Sequence, residues 1–302
     1  MKTVTIFYNP KSGQKHEELA KEVKSFFIEN HFNEKDINII TPKSAEESFQ
    51  LAKKASQNKV DIVIPLGGDG TINKVCAGVY EGGSFSKIGL VPAGTVNNFA
   101  KALDIPLNTQ EALESLLDGY TQTVDMCKVN QSYMISSLTL GIMADIASHV
   151  TPEVKRKYGP LAFIKDGYRI IRRNRSYVIK LEYDQVIKII KTKFLLITMT
   201  NSIAGRPAFS PDAKVDDGLF RVYSLKDIHF FKLLFHLKEF RKGKFDMVPE
   251  MDHFNTDHLV ISPISRKKRA NPFTRIDGDK SDPLPVDIKI INKAINVIVP
   301  KK

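Results

Sequence analysis

The sequence predicts two fold classes in succession: an α/β half on a parallel sheet, then an antiparallel β half. Up to about residue 120, apolar β-forming runs alternate with stretches of helical period. Beyond about residue 126 such runs follow one another with turn signals between them. The core runs of the first half are continuously apolar, as in strands covered on both faces. The division is therefore placed at residues 1–125 and 126–293, and the last run, "AINVIVP" 294–300, fits either half, so 294–302 is an optional part of the first.

The elements follow in order. "TVTIFY" 3–8 reads as a strand ended by Asn9-Pro10 and Ser12-Gly13. "EELAKEVKSFF" 17–27 sets Leu19, Val23, Phe26 and Phe27 on one helical face. "INII" 37–40 is a short strand. Ser44 with Glu47 makes a capping-box pattern before a helix to about residue 57. "VDIVIP" 60–65 is a buried strand, and a helix over 71–81 aligns Ile72, Val75, Cys76 and Val79. "KIGLVP" 87–92 is a strand, and "VNNFAKAL" 96–103 a short helix. In the second half, "YMISSLTL" 133–140, "YVIKLEY" 177–183, "VIKIIKTKFLLITMT" 186–200, "GLFRVYSL" 218–225 and "HLVIS" 258–262 read as strands, with inserted helices near 160–173 and 227–241.

The formal net charge of +11 points to an anionic partner: a phosphorylated ligand, an anionic leaflet or nucleic acid. The basic clusters "KRK" 155–157, "RIIRRNR" 169–175, "KEFRKGK" 238–244 and "RKKR" 266–269 all lie in the second half. No aromatic–basic interleaving or binding motif supports nucleic acid. The N-terminus reads as a strand rather than a secretory leader, and no apolar run reaches 18 residues. Cys76 and Cys127 match no metal spacing and read as ordinary buried thiols of a cytosolic chain.

Three small-residue turns follow strands: "NPKSG" 9–13, "GGDGT" 67–71 and "AGT" 93–95. Glycine lets backbone approach a ligand, and a helix N-terminus offers N–H groups to phosphate oxygens. Walker A is absent, and "GDGTIN" 68–73 lacks the third glycine of the dinucleotide fingerprint. Asp69 is out of place in a simple anion cradle. A carboxylate there suits metal binding or proton transfer, hence phosphoryl-transfer chemistry.

With these residues in view the chain resembles the diacylglycerol kinase / sphingosine kinase family, in layout its soluble bacterial members. The blocks are "YNPKSG" 8–13, "GGDGTIN" 67–73, "PAGTVNNFAKALDIP" 92–106, "VDMCKVN" 124–130, "GPLAFIKDGYRII" 159–171, "PDAKVDDGLF" 211–220 and "IDGD" 276–279. The resemblance implies a nucleotide-binding α/β domain like those of NAD kinases and phosphofructokinases, a lipid-carrying β-sandwich, and an active site in the cleft between them. It implies ATP held by Asn9, Ser12, Gly68, Gly70, Thr71, Gly94, Thr95 and Asn97. It implies Asp69 beside the transferred phosphate, as a base or in a Mg²⁺–water network, with Asp125 and Lys165 as further members. It implies a structural Mg²⁺ on the Asp217 carboxylate and the carbonyls of Lys214 and Leu219, and essential carboxylates at Asp277 and Asp279. Asp69, Asp277 and Asp279 all stand as candidates for the base.

Three positions depart from the family pattern: Lys74 and Asp279 stand where Glu is usual, and Asn98 where Asp is usual. The implied reaction is ATP-dependent phosphorylation of a lipid hydroxyl, diacylglycerol by default, giving phosphatidic acid. The departures also suit a catalytically weakened paralogue that binds nucleotide or lipid, and an NAD kinase is a more distant alternative. A lipid kinase without a spanning helix is expected in the cytoplasm, docking peripherally on an anionic membrane. Its basic clusters would serve that docking; the segment 228–244 reads first as a helix packed against the sandwich, with an interfacial helix as the alternative. Edge strands of the β half would allow a homodimer without requiring one.

Overall fold

The computed structural model describes residues 2–9, 14–94, 96–141, 176–202, 212–226, 248–264 and 272–301. The predicted helices near 160–173 and 227–241, and the four basic clusters, lie outside them. The first half runs β1 (Val4–Tyr8), α1 (Gln14–Glu29), β2 (Ile37–Ile40), α2 (Ala45–Gln57), β3 (Ile62–Leu66), α3 (Asp69–Glu81), β4 (Lys87–Ile88), α4 (Asn98–Ala102) and α5 (Thr109–Asp118). Strands β1 to β4 pair in parallel in the order β4-β3-β1-β2. Alternate residues of each strand face opposite sides. Val4, Ile6 and Ile64 pack with Val23 and Phe27 of α1 and Leu113 and Leu116 of α5. Phe7, Val63 and Ile88 pack with Ile72, Val75 and Val79 of α3 and Ala52 of α2.

Several sequence expectations are adjusted. The Ser44 hydroxyl accepts the Glu47 N–H at 3.1 Å, but the Glu47 carboxylate reaches the N–H of Lys43, one residue before the cap, at 2.6 Å. The strand expected over 87–92 pairs over two residues only. Helix α3 begins at Asp69, so the motif aspartate sits in the first turn of a helix rather than in a loop. Helix α5 went unpredicted. Its signal was Asn108 followed three residues later by Glu111, whose N–H the Asn108 side chain accepts at 3.2 Å.

The second half comprises β5 (Tyr120–Val129), β6 (Ser132–Met134), β7 (Ser137–Gly141), β8 (Tyr177–Tyr183), β9 (Val186–Thr198), β10 (Phe220–Lys226), β11 (Met251–Thr256), β12 (His258–Pro263), β13 (Phe273–Ile276), β14 (Asp279–Pro283) and β15 (Val286–Val299). Pairing within it is antiparallel, and its core gathers Leu138, Leu140, Ile179, Leu181, Leu195, Ile197, Val222, Leu259 and Ile288. The run expected as one strand over 133–140 is broken at Ile135–Ser136.

Strand β15 belongs to both halves. Its first part pairs with β12 and its last part pairs in parallel with β4, while β5 follows it along almost its whole length. Between the two parts the register with β5 shifts, and Asn292–Ala294 stand opposite Asp125. A bulge of this kind releases backbone groups from the ladder.

Candidate active site

Three turns meet at the junction of the halves. The β3–α3 turn brings Gly67, Gly68, Asp69, Gly70 and Thr71. Gly68 is the N-cap of α3 and offers no side chain to cap it. A Cβ placed on Gly68 would meet nothing within 4 Å, so the helix N-terminus opens to free space. The β4–α4 turn lies against it: a Cβ on Gly94 would stand 2.8 Å from the Gly68 Cα. Asn97 closes that turn in a left-handed conformation (φ 55°). Its side chain accepts the Gly94 N–H at 3.0 Å and donates to the Gly94 carbonyl at 2.9 Å.

The third turn comes from the far end of the sequence. Asp277 (φ 49°) and Gly278 (φ 93°) form the two-residue connection between β13 and β14. Two successive positive φ values are what a tight hairpin requires, and Asp-Gly is a preferred pair for them. The turn lands on α3: a Cβ on Gly70 would overlap the Asp279 carboxylate. A side chain at position 70 would therefore push the Asp279 carboxylate away from the first turn of that helix.

The three candidate carboxylates sit in different surroundings. Asp277 is buried, and both its oxygens are fully engaged. Oδ1 accepts from the N–H groups of Ser136 and Ser137 at 2.9 and 2.8 Å. Oδ2 accepts from the Ile135 N–H at 3.0 Å and the Asn73 amide at 2.6 Å. Burial pushes its carboxyl up to about 6, although the N–H donors of Ile135, Ser137 and Asn73 pull the other way, and nearby Asp69 adds to the rise. The break between β6 and β7 is thus the donor set for this one side chain. Asp69 accepts two longer bonds, from Asn98 N–H at 3.3 Å and Phe99 N–H at 3.2 Å, and so caps α4 from outside. Burial raises its carboxyl too, against those bonds and the Lys101 charge. Asp279 is exposed. At position 98, where the family usually has Asp, it is the backbone N–H that touches Asp69.

Asp125 stands opposite the bulge of β15. Its Oδ1 accepts the Lys293 N–H at 2.7 Å, and its Oδ2 accepts the Gly218 N–H at 2.8 Å. It answers the bulge and the 214–219 turn with its two oxygens. Cys127, two residues on, lies near both Asp125 and Asp277, and burial pushes its thiol well up.

The residues to which the resemblance gives a structural Mg²⁺ do not suit one in this chain. The Asp217 carboxylate is gripped by the Arg221 guanidinium at 3.0 and 2.5 Å and by the N–H groups of Lys214 and Leu219, each at 3.1 Å. The Leu219 carbonyl accepts a further Arg221 N–H at 3.1 Å. Among the described residues no group of three or more His, Cys, Asp or Glu could hold a metal ion.

Of the expected site residues, Asp69, Gly70, Asp277 and Asp279 come together, with Gly68, Gly94 and Asn97 forming the adjoining cradle. Thr71 is placed by its N–H, which donates to the Gly68 carbonyl at 2.9 Å. Asn9 lies just past the end of β1. Ser12, Thr95 and Lys165 lie outside the described residues. Asn73 was missed. It closes the quoted "GGDGTIN" block, is buried, and joins α3 to the β half by donating to Asp277 and to the Tyr133 carbonyl at 2.7 Å. Its signal was an amide among the otherwise apolar buried residues of α3. Lys101, which faces Asp69, was also missed.

Comparison with known proteins agrees with this layout. A family profile described as "Diacylglycerol kinase catalytic domain" matches residues 3–129. A second, described as "YegS C-terminal NAD kinase beta sandwich-like domain", matches residues 136–299. A diacylglycerol kinase of Bacillus subtilis (strain 168) is 29% identical over 308 residues, covering 100% of this chain and 98% of that protein. One of Staphylococcus epidermidis is 28% identical over 302 residues, covering 99% and 93%. Among solved structures, a diacylglycerol kinase from Bacillus anthracis str. Sterne superposes with TM-score 0.73 at 20% identity, covering 99% of this chain and 97% of that one. Yeast NADH kinase complexed with NADH superposes with TM-score 0.53 at 11% identity, covering 100% and 84%. Both structural likenesses are likenesses of fold.

Proposed function

The chain belongs to the diacylglycerol kinase family of the soluble bacterial type and is therefore a kinase, and from this premise we propose that it transfers the γ-phosphoryl group of ATP to the hydroxyl of diacylglycerol or a closely related lipid. The observation that carries the reading is the landing of the Asp277–Asp279 turn on the first turn of α3. It sets an exposed carboxylate beside the open, uncapped N-terminus of a helix next to a second glycine turn. Backbone N–H groups there suit the phosphates of the nucleotide, which arrives as its magnesium complex. Gly68 and Gly70 would hold it through their N–H groups, with Thr71, Gly94 and Asn97 shaping the two turns around it and Asn9, Ser12 and Thr95 completing the cradle.

Asp279 is the proton acceptor in this scheme. Asp277 has four donors on its two oxygens and none of its lone pairs to spare, so it positions the hairpin. Asp69 holds the first turn of α4 in place. The lipid oxygen bonds to the γ-phosphorus as the bond to the β,γ-bridging oxygen breaks. The hydroxyl proton passes to Asp279, and ADP departs. Lys165 and Asp125 stand as further proposals: Lys165 as a phosphate contact, Asp125 through the strand it anchors.

The acceptor also requires a meeting with a bilayer. The outer face of the β8–β9 hairpin supports peripheral docking on an anionic leaflet. Val178, Ile187 and Ile189 are exposed there, with Lys191 and the Lys180–Glu182 ion pair on the same side of the ladder. Among the described residues no helix is long and apolar enough to cross a membrane.

The test is radiolabel transfer from [γ-³²P]ATP to diacylglycerol in mixed micelles. The wild type should label the lipid; Gly70→Ala should lose about 100-fold in kcat/KM, as misplacement of a reacting group by about 1 Å does, and Asp279→Asn about 100-fold or more, as loss of a general base does. Melting should stay within a few degrees for both, because neither position lies in a core. Nucleotide binding without labelling of any lipid would sink the kinase reading and leave a nucleotide-binding module.

A further inference from the structure

We propose that the Arg221 guanidinium takes the place of a structural divalent cation in the "KVDDGL" turn, so that this turn is held without metal. The proposal rests on the saturation of the Arg221 terminal nitrogens and of the Asp217 carboxylate. Arg221 projects from β10 and its side chain is only 8% exposed. One terminal nitrogen donates to Asp217 Oδ1 at 3.0 Å and to the Leu219 carbonyl at 3.1 Å. The other donates to Asp217 Oδ2 at 2.5 Å and to the Asp212 carbonyl at 2.9 Å. The two terminal nitrogens carry four N–H groups, and all four are used. The Asp217 oxygens each take one Arg221 bond and one backbone N–H, from Leu219 and Lys214. No acceptor position remains on that carboxylate for an ion.

Chemistry favours the arginine over an ion at these oxygens. A planar guanidinium matches a carboxylate edge in a fork and cannot lose its proton. A divalent ion entering here would have to evict a buried cation and leave it unpaired, which is strongly unfavourable. Asp217 accordingly has its carboxyl lowered: burial raises it, and Arg221 with the two backbone donors overcomes that rise.

The turn carries more than itself. Gly218 donates its N–H to Asp125, and Asp125 also takes the Lys293 N–H of the β15 bulge. Gly218 sits at φ 73°, and a Cβ there would stand 2.8 Å from the Asn292 side-chain oxygen. Arg221 thus secures, through Asp217 and one glycine, the point where β15 passes from one half of the molecule to the other. Lys214, Val215 and Asp216 of the same turn also wall a cavity of about 510 Å³ against Leu103, Asp104 and Pro106.

The inference is independent of the reaction, and its test uses nucleotide-free full-length protein. Melting is followed with 5 mM EDTA, with MgCl₂ and with CaCl₂, beside metal analysis of the dialysed protein. The wild type should melt within about one degree in all three, and should carry well under one divalent ion per chain. Arg221→Ala should melt several degrees lower in EDTA. If that variant fails to fold, Arg221→Lys, which keeps the charge and loses the fork, should fold and melt below the wild type. A wild-type melting point that falls by several degrees in EDTA would overturn the proposal. So would a tightly held ion near one per chain, or an alanine variant as stable as the wild type.

Discussion

Asp277 shows how much one side chain can organise. Its four donors come from a strand break and a helix amide more than 130 residues away in sequence. Its carboxyl is displaced upward, to about 6 from 3.8, mainly by burial. The folded protein therefore holds this proton more tightly than the unfolded chain does. The stability it contributes is full below about pH 4 and is lost as pH rises through about 6, on the order of 3 kcal/mol for a shift of this size. Asp277→Asn cannot titrate. Denaturant titrations from pH 3.5 to 7 should show the wild type losing stability relative to the variant across that window and running parallel above it. Parallel behaviour throughout would show that the site does not shift this carboxyl. The donor set around Asp277 was not legible in the sequence. The sequence shows an Asp-Gly pair but not the donors waiting for it at Ile135–Ser137.

Among the elements, the α/β half was legible nearly throughout because its signals are local: apolar period, caps and glycine turns. The misses have physical reasons. Strands β13 and β14 are short, and "DKSDP" has no apolar alternation to read. Strand β11, "MDHFNT", alternates with polar residues on both sides. The run over 133–140 hides its break because Ser136 and Ser137 are buried and strand-compatible. The outer face of β8 and β9 was legible only as strands, since the side left uncovered is a matter of packing. That face makes its own prediction. Replacing Ile187 and Ile189 by Asp should cut sedimentation with vesicles of phosphatidylglycerol and phosphatidylcholine by about ten-fold or more. Nucleotide affinity and melting should barely change, because both side chains already face water, at 68% and 62% exposure. Undiminished sedimentation would assign docking to another surface.

For the molecule as a whole, the shared strand governs folding. Ile295, Val297 and Val299 of β15 belong to one core of the α/β half, and Ile298 to the other. A fragment ending at residue 129 lacks all four and leaves β4 and β5 without their common neighbour. It should give no cooperative thermal transition, whereas the full chain should melt in a single one by calorimetry. A fragment that melts cooperatively would show that the first half is autonomous.

The β5–β15 ribbon has one more consequence. Two lobes on a flexible linker open and shut like a clamshell, but here the connection is itself a hydrogen-bonded ladder running through both lobes. Parting them on a hinge would tear that ladder at its middle. Torsion about its own length keeps that ladder paired, and the register shift opposite Asp125 is where its pairing is already interrupted. The β5–β15 ribbon is a torsion bar between the two lobes.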